Sequence, residues 1–213
     1  PTHRAAGKGH AAALEALAHA GVPLGKRNTR GDTPAHLAAL NGRTAAVEAL
    51  ARVGAPLGER DDDNITPAHL AAENGHAAAL EARAGARLGE HDIDGCTPAN
   101  LAARYGHTSA LEALARAGAP LGECDANGGS PLHWAAGEGH TAALGALARA
   151  GLPLGERDAS GDTPSHWAAC EGHAAVLEAL ARLGARLCEC DDSGDTPAHL
   201  AAYHGQAAVL VAL

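Results

Sequence analysis

The sequence contains no phenylalanine, no methionine and no long apolar run, and aromatic residues make up only 2% of its 213 residues. A membrane-spanning helix needs roughly 20 consecutive apolar residues, so we expect no direct insertion into a membrane. Basic residues are outnumbered: 16 Lys and Arg stand against 25 Asp and Glu, which gives a formal net charge of −9. Binding to nucleic acid requires a basic face, so the sequence predicts no nucleic-acid partner.

The sequence also lacks the motifs that carry common chemistry. It has no phosphate-binding loop of the G-x-x-x-x-G-K type, and no nucleophile stands with a base. The best metal-like fragment is Cys188-Glu189-Cys190. Zinc sites usually take four ligands from two paired clusters, and no second pair lies nearby in the sequence. We therefore predict no catalytic residue, no cofactor and no metal.

Cysteine usage indicates the compartment. The chain has five cysteines, an odd number, at irregular positions. Disulfides belong to oxidising compartments, so this pattern predicts reduced thiols inside a cell, with the cytoplasm as the expected location. Targeting signals outside this chain are left open.

The strongest positive feature is a Thr-Pro-x-His box that recurs along the whole chain. Its prolines are Pro1, Pro34, Pro67, Pro98, Pro131, Pro164 and Pro197. Neighbouring boxes lie 33 residues apart, except for an interval of 31 between Pro67 and Pro98. A fixed period near 33 predicts a stacked solenoid rather than one globular core.

The unit that begins at Thr66 shows what each repeat predicts. The Thr66 hydroxyl is a helix cap, and Pro67 takes the first helical position, where no N–H is needed. Gly75 ends this helix, and His76 opens a second one. Residues 87–95 are rich in Gly and Asp and predict an extended arm with a tight turn. Helix, helix and turn therefore form the unit.

With these boxes in register, as in Gly161–His173, the chain resembles the ankyrin repeat family over essentially its whole length. The resemblance implies an all-α solenoid of stacked helix-turn-helix units with projecting β-turn tips. We predict one domain, 1–213. Its units are a partial unit 1–32, full units 33–65, 66–96, 97–129, 130–162 and 163–195, and a partial unit 196–213. Solenoids need polar caps, which neither end shows, so we expect a longer protein.

The unit 66–96 is two residues shorter than its neighbours, and the shortfall lies in its second helix. Two helical residues correspond to roughly 200° of rotation, so a simple deletion would turn Arg83 toward the core. The sequence leaves open whether the helix ends early or two residues are missing from the record.

Most of the 14 histidines follow the repeat. Six stand in the box and five follow the mid-repeat glycine. The box histidines are His3, His36, His69, His133, His166 and His199, and the others are His10, His76, His107, His140 and His173. The resemblance implies that the box histidines are structural and bond neighbouring turns.

The turn tips are rich in aspartate and would form an acidic ridge along one edge. In the family, the tips and the exposed face of the first helix contact partners. Carried over by position, the tip residues that we predict to bind a partner are Asp62, Asp63, Ile65, Asp94, Asp162 and Asp195. Aspartate is also favourable turn chemistry, so a role in folding and solubility competes with recognition of a basic partner.

All four aromatic residues fall in one band on the first helices. Trp134 and Trp167 share a position in consecutive units, and Tyr105 and Tyr203 lie on adjoining variable positions. Tyr and Trp often anchor protein interfaces, although Trp at that position is also a common filler in the family. The remaining predicted contact residues of this band are Arg104, Glu138 and Glu171.

These features predict a non-catalytic scaffold that binds a protein partner through the concave helix face and the acidic tips, and the acidic tips favour a basic partner. Two alternatives stay open: a structural subunit of a large assembly, and the regulatory or targeting arm of a larger enzyme or channel. Irregularities such as Ala99-Asn100 and Gly145 argue against an engineered consensus protein.

Overall fold

The computed structural model describes residues 1–82 and 87–213, and the regular secondary structure of that part is helical, with no β-strand there. The helices of the described residues are α1 Thr2–Lys8, α2 Ala11–His19, α3 Pro34–Leu40, α4 Thr44–Arg52, α5 Pro67–Glu73, α6 Ala77–Glu81, α7 Pro98–Arg104, α8 Thr108–Arg116, α9 Pro131–Gly137, α10 Thr141–Arg149, α11 Pro164–Glu171, α12 Ala174–Arg182, α13 Pro197–Tyr203 and α14 Ala207–Ala212. None of them is long and apolar enough to cross a membrane.

The helices form two rows. Each odd-numbered helix packs against the next odd-numbered helix, and the even-numbered helices pack in the same way beside them. The interface is filled mainly by fully buried alanines and leucines, such as Ala38, Ala71, Leu111 and Leu144. The predicted all-α solenoid of stacked helix pairs is therefore confirmed. We call the odd-numbered helices first helices, and their exposed side the first-helix surface.

Each box starts a first helix through a reciprocal cap. In α5, Thr66 is the extended N-cap and accepts a hydrogen bond from the His69 backbone N–H, and Pro67 occupies the first turn. The backbone N–H of Thr66 in turn donates to His69 Nδ1 at 3.1 Å. This is a capping box in which histidine takes the position usually held by Glu or Gln.

The other nitrogen of the box histidine reaches the next unit. His69 Nε2 donates to the carbonyl of Cys96 at 3.0 Å, and the pattern recurs at 2.9–3.2 Å along the chain. The donor and acceptor pairs are His3 and Asp32, His36 and Ile65, His69 and Cys96, Asn100 and Gly129, His133 and Asp162, and His166 and Asp195. The structural role predicted for the box histidines is confirmed at these positions.

The histidines after the mid-repeat glycine bond in the opposite direction. His107 Nε2 lies 2.9 Å from the carbonyl of Glu73, at the end of the first helix one unit earlier. His76 and His140 make the equivalent bonds to Leu40 and Arg104. Gly106 shows the tightness of this contact, because its φ is +71° and a Cβ there would lie 2.6 Å from His140 Nδ1.

The short second helix α6 spans Ala77–Glu81, five residues against nine in α8. The prediction that a simple deletion would turn Arg83 toward the core concerns residues 83–86, which lie outside the described residues.

Burial of the box histidines couples folding to pH. Burial lowers the pKa of His69 and of His133, with a backbone carbonyl bonded to each ring opposing the shift. In the unfolded chain, the His69 and His133 rings take up a proton near the ordinary pKa of about 6.5. In the folded chain, they take it up only at lower pH. This contribution to stability is therefore complete above about pH 6.5 and is lost as the pH falls.

We expect His69→Ala to lower the free energy of unfolding by about 3 kcal/mol. The buried Thr66 N–H loses its acceptor, at about 1–3 kcal/mol. The Cys96 carbonyl loses one of two donors and keeps the Asp92 N–H, at about 0.5–1.5 kcal/mol. His69→Asn should cost much less, because Asn100 already makes both bonds at the same position of α7. Urea denaturation of the two variants measures the difference.

The matched control is His199→Ala, since His199 occupies the same box position in α13 but is exposed. A loss there of the same size as in His69→Ala would contradict the argument from burial.

Candidate functional site

The turn tips are six copies of one hydrogen-bonded turn. In each, a side-chain Oδ1 accepts from the backbone N–H groups two and four residues later, at 2.8–3.0 Å. The accepting residues are Asn28, Asp61, Asp92, Asp125, Asp158 and Asp191. These side chains were not among the predicted tip residues, although their recurrence as Asp or Asn at one repeat position was the signal for a self-bonded turn.

The predicted acidic ridge is partly neutralised. Asp62 is exposed but forms an ion pair with Arg27 of the preceding turn at 3.1 Å. Arg157 makes the same contact with Asp192 at 2.9 Å. Asp63 and Asp94 are exposed at their tips. The ridge is therefore neutralised at two tips and does not carry a uniform negative field.

Two further predicted tip residues lie closer to the stack than to its edge. Ile65 is half-buried, and its carbonyl accepts the His36 bond described above. Asp195 likewise gives its carbonyl to His166, and its carboxylate lies 4.0 Å from His199. The backbone of both residues is therefore structural, and only their side chains are available to a partner.

Asp162 is the tip residue with an unusual environment. Its Oδ1 is buried and has no hydrogen-bond partner among the described residues. Burial raises the pKa of Asp162, and the neighbouring Asp158 carboxylate raises it further. The residue lines a pocket of about 320 Å³ together with His166, Trp167, Cys170, Glu171 and Leu200. Asp162 thus joins the tips to the first-helix surface.

Three residues of the aromatic band, Tyr105, Trp134 and Trp167, form a contiguous cluster with Arg104 at the end of α7 and on α9 and α11. The Arg104 guanidinium lies 4.6 Å from the centre of the Trp134 ring and 5.9 Å from that of Tyr105. The Trp134 and Trp167 rings meet edge to face at 5.3 Å. Tyr105 is 46% exposed and both indoles are half-buried. We call Arg104, Tyr105, Trp134 and Trp167 the aromatic cluster.

Both tryptophans also have a structural role. Trp134 Nε1 donates to Asp125 Oδ2, and Trp167 Nε1 donates to Asp158 Oδ2, each at 2.9 Å. Each indole therefore links its own first helix to the turn tip that directly precedes this helix. The predicted interface role of the pair stays a prediction, and the bond to the tip is a function that the sequence analysis missed.

Tyr203 lies apart from the aromatic cluster. It is 85% exposed, and its ring contacts His204 edge to face at 5.1 Å. His204 Nε2 is 3.3 Å from Cys170 Sγ. The structure therefore brings together Arg104, Tyr105, Trp134, Glu138, Trp167 and Glu171 of the predicted contact residues, with Tyr203 one unit further along.

Cys188 and Cys190 are both exposed and unpaired. Within residues 1–82 and 87–213, no group of three or more His, Cys, Asp or Glu side chains is arranged to hold a metal ion.

Comparison with known proteins agrees with this architecture. The sequence model described as ankyrin repeats in three copies matches residues 2–82, 79–158 and 150–213. This chain belongs to the ankyrin repeat family. Domains of this family generally serve as protein–protein interaction modules. No curated protein matches the sequence.

Two solved structures illustrate the likeness. The human ASB11 ankyrin repeat domain superimposes with a TM-score of 0.84 at 26% identity, over 100% of this chain and 97% of that one. The ankyrin repeat domain of Bcl-3, described as a unique member of the IkappaB protein family, gives 0.83 at 26% identity, over 94% of this chain and 92% of that one.

The indole bonds generate a test. We expect Asp158→Asn to lower the free energy of unfolding by about 1–2 kcal/mol, because the amide N–H₂ would face the Trp167 indole N–H and leave that donor without an acceptor. Asp61→Asn is the matched control, since Leu70 stands at the position of Trp134 and Trp167 and Asn28 already occupies this turn position.

The control should change stability by no more than about 0.5 kcal/mol. Urea denaturation followed by indole fluorescence measures both variants, and equal losses would show that the indole bond does not matter.

Proposed function

We propose that this chain is a non-catalytic protein-binding module whose partner docks on the first-helix surface around the aromatic cluster and against the adjoining turn tips. The observation that carries the proposal is the aromatic cluster itself. It places an arginine, a tyrosine and two tryptophans side by side in a chain with only four aromatic residues of the Trp and Tyr type. Tyr, Trp and Arg are the residues that most often dominate binding energy at protein interfaces.

Rigidity supports the same function. The first helices that carry the cluster are fixed at their starts by the caps and between units by Asn100, His133 and His166. The two indoles are held by their bonds to Asp125 and Asp158. A pre-formed surface loses little conformational entropy on docking, so more of the contact energy is available as affinity.

Charge favours a basic partner. Asp63, Asp94 and Glu171 are exposed, and Asp162 lies at the boundary between tips and helices. The formal net charge of −9 adds a long-range attraction for cations. The ion pairs of Arg27 and Arg157 weaken this attraction at two tips, so we place the basic contact near Asp162 and Glu171 rather than along the whole ridge.

An intracellular, cytoplasmic setting belongs to the same proposal. Its support is the state of the thiols: all five cysteines are unpaired, and Cys188 and Cys190 are also exposed. Exposed free thiols are typical of the reducing interior of a cell.

Affinity capture from the native source tests the function, with three baits and a control bait compared at low and high salt. The first is the unchanged chain. The second carries Tyr105→Ala and Trp167→Leu, where leucine is the residue of α7 and α13 at that position. The third carries Asp→Asn changes at Asp62, Asp63, Asp162 and Asp195.

We expect one partner that the second bait loses and that the third bait holds about tenfold more weakly, with a smaller dependence on salt. The control bait carries Glu178→Gln and Leu183→Ala on the second-helix side, both exposed, and should bind normally. Capture that no bait alters would contradict the proposed surface. A large salt-resistant set of proteins would instead indicate a structural subunit.

A further inference from the structure

The neighbouring first helices α9 and α11 carry two copies of one arrangement of three residues, and the copies differ in one of the three. Trp134 and Trp167 share one position of the repeat, and Glu138 and Glu171 share another. The residue that faces the indole comes from the preceding unit. It is Arg104 before Trp134 and Gly137 before Trp167.

The first copy of this arrangement is filled. The Arg104 guanidinium lies over the Trp134 ring at 4.6 Å, and its Nε is 3.9 Å from Glu138 Oε1. An indole face and a carboxylate therefore hold one guanidinium between them, through a cation–π contact and a charge interaction. The chain itself shows which group this geometry accepts.

The second copy is open. Gly137 contributes no side chain, and a pocket of about 270 Å³ is lined by Trp134, Gly137, Glu138, Trp167 and Glu171. In the described part of the chain Glu138 has an ion-pair partner, Arg104, and Glu171 has none. The pocket is therefore an indole and a carboxylate without the cation that completes the neighbouring copy.

The opening is built into the packing. A Cβ at position 137 would lie 2.9 Å from Trp167 Cε3, so any larger residue there would have to displace the indole. The Trp167 ring is held in place by its bond to Asp158. A side chain at position 137 would therefore require the Trp167 ring to shift from its present place.

We propose that this pocket binds an arginine side chain of the protein partner, with the guanidinium against the Trp167 ring and in an ion pair with Glu171. The inference rests on the proposed function and names the partner group that docks at that surface. The pocket volume of about 270 Å³ is below the roughly 300–1,000 Å³ of typical small-molecule sites. A pocket of this size suits a single inserted side chain.

Arginine fits this pocket better than lysine. The guanidinium is planar and stacks on an aromatic face while donating sideways to a carboxylate, whereas an ammonium is a compact and strongly hydrated charge. The filled copy at Trp134 uses a guanidinium in this way. The adjoining pocket at Asp162, which shares Trp167 and Glu171, adds a second carboxylate at one side.

Nuclear magnetic resonance of the tryptophan side chains tests the proposal directly. The chain has two tryptophans, so ¹⁵N-tryptophan labelling gives two indole N–H signals. The probe is the capped tripeptide acetyl-Gly-Arg-Gly-amide, and the control is the same peptide with citrulline, which keeps the shape and removes the charge. We expect the arginine peptide to shift the Trp167 signal with millimolar affinity, and the citrulline peptide to leave it in place.

Variants make the assignment specific. Trp167→Leu should abolish the response, so that the remaining Trp134 signal stays still. Glu171→Gln should weaken binding about threefold, the size of a partly exposed ion pair. Glu178→Gln, an equal charge change on α12 of the same unit, should have no effect. Arg104→Gly copies Gly137 and should make the Trp134 signal respond to the arginine peptide.

An unmoved Trp167 signal at saturating peptide, or an equal response to citrulline, would overturn the arginine pocket. Because this titration uses no natural partner, such a failure leaves the capture experiment intact. A failed capture, in turn, leaves the peptide result standing.

Discussion

This structure depends on the two hydrogen bonds that a box histidine makes through its ring nitrogens. A neutral imidazole has one acceptor and one donor nitrogen, and both are used. In α5, His69 Nδ1 accepts the Thr66 N–H that starts its own helix, and Nε2 donates to the Cys96 carbonyl of the following turn. One side chain therefore caps a helix and fixes the next unit against it. Since each unit of a solenoid contacts only its neighbours, this bond sets the register that everything else inherits.

Register explains how the first-helix surface acquires chemistry. The caps and histidine bonds fix the backbone, so positions that point outward can differ without disturbing the stack. Arg104 and Gly137 occupy one such position, and that single difference turns a filled indole site into an open one. The bonds from Trp134 and Trp167 to the turn aspartates then hold the indoles still. Folding and recognition thus share the same tryptophans.

The sequence predicted those features that depend on local chemistry. The Thr-Pro start and the mid-repeat glycine of α5 act within a few residues, so their pattern was sufficient to predict the helix pair. It did not predict that Asp62 is paired with Arg27, or that Arg104 covers Trp134, because both contacts cross from one unit to the next. Such contacts depend on the stagger between units, which the period alone does not define. The hydrogen bond from Trp167 to Asp158 was missed for a different reason. The pattern of tip aspartates predicts turns or partner contacts, and it does not indicate that one of them accepts a bond from an indole N–H.

The most direct test of the central claim is a ¹H–¹⁵N spectrum of the imidazole nitrogens, recorded from pH 8 down to pH 5. For His69 and His133, the account predicts the neutral tautomer with the proton on Nε2, retained below the ordinary pKa of about 6.5 because burial lowers the pKa of both rings. A proton on Nδ1 at neutral pH, or titration of either ring at an ordinary pKa while the chain stays folded, would contradict it.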